Sequence, residues 1–214
     1  MLLNTAVTAT SVSLFAGTGI AGVVGQGNAN GPGINARFNF GTSKYIPMAM
    51  DYDPNLGNPG PPTTLYFCDT GNGVIRAASL AASNIVSTLI AAPSCQGLAY
   101  DGMLRQLIVT NANNTIALVN PTTGTAQGFA GQINVAGTAN GQGIVAYPLQ
   151  FQPGNAVSSG GAAATPFNGL GLTPNTGVNN TAATFSNPMG IWWDNGINGY
   201  WLVDNATAQV RVLN

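Results

Sequence analysis

The feature that most constrains this chain is a repeat. Three segments share one grammar: LYFCDTGNGVIRAASL (residues 65–80), LIVTNANNTIALVN (107–120) and WLVDNATAQVRVLN (201–214). In each, a short apolar run ends in Asp or Thr, a turn of Asn, Gly and small residues follows, and a second apolar run begins. Asp69 stands seven residues before Arg76, and Asp204 seven before Arg211; Thr110 and Ala117 keep that interval with both charges lost. Upstream lie three matching runs, YIPMAMDYD (45–53), SCQGLAYDG (94–102) and NPMGIWWDNG (187–196). A further element, VSLFAG (12–17), VSTLIAA (86–92) and AQGFAG (126–131), completes the pattern. Alternating β-branched and aromatic residues bounded by Gly, Asn and Pro are strand signals, and no helical period competes with them. Units of this length cannot bury their faces singly, so the copies must stack.

A unit of four short strands joined by turns is a propeller blade. The chain resembles the NHL-repeat propellers, most closely in CDTGNGVIR (68–76), which follows that family's Ala-Asp-Thr-Gly-Asn and Arg strand. NPMGIWWD (187–194) is similar to the family's first strand after Pro-x-Gly, and the resemblance covers about two thirds of the chain. It implies an all-β, NHL-like β-propeller or partial propeller of three four-stranded blades with long Gly/Asn-rich inserts. The blade units are expected at about 37–92, 93–131 and 184–214 within one domain, 1–214, with an N-terminal strand at 12–17 and an insert at 132–183. GQGIVAYPLQF (141–151) echoes CQGLAYD (95–101), but no Asp or Arg strand follows it, so the insert reads as an extended surface loop, with a degenerate fourth blade as the alternative. Loops that long are usually functional. NHL-type rings typically hold about six blades, inside the range at which propellers close. Three blades leave open edges, which recruit other strands. The last unit stops after its third strand, and 12–17 is of the fourth-strand type. That strand is therefore expected to complete the last blade, within one chain or head-to-tail between chains.

Only 11 of the 214 residues are charged, every acid is Asp, and there is no His. A net charge of -1 excludes an electrostatic nucleic-acid binder and a polybasic membrane binder. No run of about 18 apolar residues is present to span a bilayer, and residues 1–15 lack the basic region and apolar core of a secretory signal. Without His, the Ser-His-Asp and Cys-His machines and His-ligated zinc are excluded. Nor can the metal site of NHL-like lyases, which depends on His, be placed here. Eight charges fall on repeat positions: Asp51, Asp53, Asp69, Asp101, Asp194, Asp204, Arg76 and Arg211. A short carboxylate at a strand end accepts bonds from turn N–H groups, and an Arg seven residues on can reach a carboxylate of its own or an adjacent blade. DYDPNLGN (51–58) suggests a calcium loop, but its Gly is one position late and the closing Glu is missing. No cofactor or metal is expected.

Cys68 ends a second strand and Cys95 begins the next unit, which puts both at one end of neighbouring blades and makes a disulfide reasonable. A bridge would imply an oxidising, extracellular or cell-surface setting. Two buried thiols are the plainer alternative. Three sequons, at Asn113, Asn179 and Asn205, are what chance gives in so Asn-rich a chain, yet glycans there would cover a nearly uncharged surface. Of the adjacent Trp192 and Trp193 one must face away from its own core, since strand side chains alternate. The expected function is a non-enzymatic structural protein, a homo-oligomer or filament subunit that partners itself. The alternative is a sugar- or protein-binding module of a larger secreted protein.

Overall fold

A computed structural model describes residues 13–20, 23–42, 46–50, 62–81, 84–139, 183–194, 196–197 and 199–213. Eleven strands form three antiparallel sheets in chain order, with only short 3-10 turns as helical elements among the described residues. The first sheet is β1 (Met48–Met50), β2 (Thr64–Asp69), β3 (Val74–Ser79) and β4 (Val86–Ala91). The second is β5 (Cys95–Asp101), β6 (Gln106–Asn111), β7 (Thr115–Asn120) and β8 (Thr125–Gly131). The third has three described strands, β9 (Pro188–Asp194), β10 (Gly199–Asp204) and β11 (Gln209–Leu213). The all-β expectation holds, and each repeat copy is one up-and-down sheet.

Turn chemistry sets this meander. The hairpins after β2, β6 and β10 each close on a left-handed residue: Gly73 (φ 63°), Asn114 (φ 67°) and Ala208 (φ 54°). Gly and Asn tolerate that region, whereas Ala is strained there. At the opposite end, Arg105 (φ 54°) and Gly124 (φ 65°) close the β5–β6 and β7–β8 turns. Asp101 Oδ1 there accepts the N–H groups of Met103 and Leu104, and Asn120 Oδ1 those of Thr122 and Thr123. Asp194 Oδ1 takes the Gly196 N–H in the same way. These side chains mimic a backbone turn and hold the hairpin register.

The sheets stack face to face. One core joins Tyr66, Cys68 and Ile75 of the first sheet to Leu98, Leu107, Val109, Ala117 and Val119 of the second. A second core joins the second sheet's other face, Ala99, Ile108, Ile116 and Leu118, to Ile191, Tyr200 and Leu202 of the third. The central sheet is thus buried on both faces, which is why β6 and β7 read as unbroken apolar runs. The first strands of successive sheets also meet, β1 against β5 and β5 against β9. Gly97 permits the closest approach: a Cβ there would collide with the Met189 carbonyl oxygen of the third sheet.

The N-terminal segment departs from its expectation. Residues 13–17 form no strand and do not pair with β11. They pack on the first sheet, where Phe15 and Ala16 join Ala36, Phe38, Phe67 and Ala78. Phe129 and Ala130 hold the corresponding place in the second core, beside Ala183, Phe185, Leu202 and Leu213. Gly17 (φ 94°) and Gly131 (φ 86°) match, as do the parallel bridges Gln26–Phe38 and Ala136–Phe185. Residues 13–42 therefore copy the link from β8 into β9. Among the described residues no strand pairs with 13–17, which stays irregular. Val12, the calcium-like stretch 51–58 and the echo at 141–151 lie outside the described residues.

Candidate functional site

The hairpins after β2, β6 and β10 share one end of the stack with the β4–β5 link, because the strands alternate in direction. Cys68 and Cys95 sit at that end and form a disulfide with Cα atoms 6.2 Å apart. The bridge joins the first sheet to the second, as the strand positions implied.

In the outer two sheets this end is organised by an ion pair. Asp69 Oδ2 accepts Arg76 Nε (2.9 Å) and Asn72 Nδ2 (2.8 Å), while its Oδ1 takes the Asn39 N–H (2.8 Å). The remaining Arg76 donors go to Asn30, Thr88, Asn28 and the Arg37 carbonyl. Asp204 repeats the plan: Oδ2 accepts Arg211 Nη1 (3.2 Å) and Oδ1 the Ser186 N–H (2.7 Å). Arg211 also donates to the Thr184 and Ala139 carbonyls, and its guanidinium stands over Phe185 at 4.5 Å, as that of Arg76 stands by Phe38 at 5.9 Å. Each Arg thus reaches the carboxylate of its own sheet. Both ion pairs are saturated with partners and serve as clamps on the link that enters the sheet. The clamping Phe-Asn at 38–39 and Phe-Ser at 185–186 were not picked out in the sequence; the signal was ARFNF against AATFSNP, 147 residues apart.

The middle sheet differs. Its hairpin has three residues between Asn111 and Thr115, against four between Asp69 and Val74. The strand-end residue is consequently Asn111, not Thr110, while Ala117 keeps the place of Arg76. Thr110 is carried to the sheet face, where its hydroxyl donates to the Met189 carbonyl at 2.6 Å. Asn111 Nδ2 donates to Thr115, whose hydroxyl donates to Asn113 Oδ1 (2.6 Å). Three buried polar atoms nonetheless lack protein partners here: Asn111 Oδ1, Asn113 Nδ2 and Gln96 Oε1. Gln96 lies in the bulge that β5 makes between Cys95, the partner of Asn111, and Gly97. Around them stand further amides: the Asn114 side chain takes the Asn187 N–H, and the Asn113 carbonyl the Asn134 N–H.

The other expected residues fall elsewhere. Asp101 is buried at the opposite end, where its Oδ2 accepts the Tyr200 hydroxyl. Asp194 is half-buried and accepts Trp201 Nε1 at 2.9 Å; that bond, followed by the Gly196 N–H, holds its carboxyl below the ordinary aspartate value. Of the sequons, Asn113 is buried, so its side-chain nitrogen is closed to a glycan in the folded chain, Asn205 is exposed, and Asn179 lies outside the described residues. Trp193 packs on Tyr200 with ring centroids 4.9 Å apart, and Trp192 points outward. Among the described residues no three Asp or Cys side chains gather to hold a metal, and no helix is long and apolar enough to cross a membrane.

No family model matches the chain, and no curated protein does. Among solved structures it is similar to an auxiliary nutrient binding protein of Bacteroides ovatus at 14% identity and TM-score 0.47, over 78% of this chain and 33% of that one. A second auxiliary nutrient binding protein, from Bacteroides thetaiotaomicron, is 11% identical with TM-score 0.44 over 71% of this chain and 35% of that one. A protein of unknown function from Bacteroides thetaiotaomicron is 14% identical with TM-score 0.30, over 77% of this chain and 46% of that one. The chain spans about a third of the length of the first two.

Proposed function

We propose that this chain is a non-catalytic binding module of an extracellular, NHL-type propeller, and that the amide end of its middle sheet takes an uncharged, polyhydroxylated ligand such as a saccharide. The observation that carries the reading is the trio Gln96 Oε1, Asn111 Oδ1 and Asn113 Nδ2. Buried polar atoms nearly always have partners; these three are closed to solvent in the folded chain, so the hydroxyls of a guest meet the unfilled donor and the two unfilled acceptors when the 112–114 turn opens. Neutral amides favour an uncharged guest, and the Asp–Arg pairs that would repel or attract charge are absent from this sheet alone. The meeting of β1, β5 and β9 supports a propeller-type array, and the disulfide supports an oxidising compartment. A catalytic role finds no support, because the sequence has no His and the Asp69 and Asp204 carboxylates are tied to Arg. The strand-donor filament is set aside in favour of this reading because 13–17 is docked on its own chain.

Titration calorimetry against a panel of neutral oligosaccharides tests the reading. A bound member should lose about tenfold in affinity in Gln96→Ala and in Asn113→Ala, the loss of one buried hydrogen bond each. Absence of binding across the panel, or affinity unchanged in both variants, would sink it.

A further inference from the structure

The three hairpins at the disulfide end are fastened in different ways. In the first sheet the turn after β2 hangs on the buried Asp69–Arg76 pair. Asn72 Nδ2 donates to Asp69 Oδ2 at 2.8 Å, and the Gly71 N–H to the carbonyl of Asn39, whose own N–H is taken by Asp69. In the third sheet Asp204, paired with Arg211, takes the Ser186 N–H, and the Ser186 and Asn187 carbonyls take the Ala206 and Asn205 N–H groups. The turn at 112–114 has no such pair to hang on, because Asn111 and Ala117 stand in its place. Its fastenings are neutral: the Ala112 N–H to the Ser94 carbonyl (2.8 Å), the Asn134 N–H to the Asn113 carbonyl (2.8 Å), and the Asn187 N–H to Asn114 Oδ1 (2.9 Å). A hydrogen bond to a charged group contributes about twice what a neutral one does, so of the three turns this one opens most readily.

The Asn187 bond depends on a side chain that the first sheet cannot supply. Its left-handed turn residue is Gly73 (φ 63°), whereas Asn114 (φ 67°) tolerates the same conformation and adds an acceptor. That acceptor ties the turn to the third sheet, since Asn187 immediately precedes β9. On the other side the site is fixed. Cys95 is the cross-strand partner of Asn111 and is bridged to Cys68 of the first sheet, and Gln96 follows it in the bulge. Movement therefore belongs to the turn. Gln96 and Asn111 stand on anchored strands, while Asn113, drawn inward by the Thr115 hydroxyl at 2.6 Å, swings with the turn.

We infer that the 112–114 turn is an autoinhibitory strap over the amide site, latched by the bond from the Asn187 N–H to Asn114 Oδ1. The inference rests on the amide end being the binding site and adds its control. The three unfilled atoms are closed to solvent while the strap is shut, so a guest binds only the open fraction of the molecules, and its apparent affinity is reduced by that fraction. Weakening the latch should therefore tighten binding, the reverse of what losing a supporting contact does.

Amide hydrogen exchange of the whole chain, followed by NMR with no ligand present, reads the latch. Asn114→Gly keeps the left-handed conformation and removes the acceptor. Exchange should quicken about fivefold at Ala112 and Asn134, whose own bonds the substitution leaves in place, and stay as it was at Asn72 in the first sheet's turn. Asn114→Asp retains an acceptor and should exchange no faster than the wild type. Calorimetry against the panel of neutral oligosaccharides then reads the site: a bound member should gain about fivefold in affinity in Asn114→Gly. Unchanged exchange at Ala112 and Asn134 in Asn114→Gly would overturn the strap, as would quickening that extends to Asn72 or that Asn114→Asp shares. Quickened exchange with a bound saccharide held no more tightly would overturn it too. Quickened exchange confined to the turn, with no saccharide taken by either chain, would leave the strap standing and remove the saccharide reading instead.

Discussion

The first and third sheets are built on one plan and live in opposite surroundings. Each has an Asp at the end of its second strand, an Arg seven residues on, and a Phe segment that clamps the pair. Each also presents an apolar face away from that clamp. In the first sheet this face carries Tyr66, Cys68 and Ile75 and lies buried; in the third, Trp201, Val203 and Val210 in the same places face outward. Local sequence thus makes the face, and the next element in space decides whether it becomes core. The difference also separates two kinds of apolar residue that composition merges, those already used in folding and those still available to a partner.

The largest effect expected from breaking this comparison lies in the clamps. Replacing Arg76 by Met strands the Asp69 carboxylate where neither side chain is exposed, and should cost about 3–5 kcal/mol. Arg211→Met should cost less, about 1–3 kcal/mol, because Arg211 keeps 10% exposure and water can reach the site. Urea unfolding of the two variants measures the gap; equal losses would mean the third sheet is as enclosed as the first.

A smaller effect separates two glycines that hold one repeat position. Gly97 lies under Met189, so Gly97→Ala forces the second and third sheets apart and should cost about 1–3 kcal/mol. A Cβ at Gly190 meets nothing closer than Val203 at 3.9 Å. Gly190→Ala should therefore change the stability of a single chain by less than about 0.5 kcal/mol. Thermal unfolding of the two variants measures the contrast; equal losses would mean that Gly190 is as closely covered as Gly97.

The smallest effect concerns Asp194, beside the open face. Its carboxyl is held below the ordinary value first by Trp201 Nε1. A lowered value in the folded state means the bond is fully present at neutral pH and is lost as pH falls through the folded value. The carboxyl resonance of Asp194 should titrate with a midpoint below that of an unperturbed aspartate and rise toward it in Trp201→Phe. An unchanged midpoint in that variant would assign the lowering to the Gly196 N–H.

Much of the fold was legible because strands and turns are local. The period of alternation and the Asp, Asn and Gly positions placed β2 to β11 and anticipated the bridge between Cys68 and Cys95. What failed was whatever depends on a length or a neighbour. The middle hairpin is one residue shorter, so an alignment that counted back from Ala117 chose Thr110 in place of Asn111. Residues 13–17 carry the composition of a fourth strand and pair with no strand among the described residues. Asn113 sits in a sequon in a turn, where exposure is the rule, yet its side chain folds inward to meet Thr115. The candidate site was illegible for the same reason, since the unfilled valences of Gln96, Asn111 and Asn113 exist only once the β5 bulge has brought these residues to one end.

Sequence by itself determined that this chain makes all-β repeat units, where their turns fall, and which positions carry charge, because alternation, turn propensity and the Asp-to-Arg interval all act within a few residues. Tertiary structure alone decided which copies of those faces are covered. Burial belongs to pairs of surfaces, and the same apolar stripe is a core between the first and second sheets and an exposed face on the third.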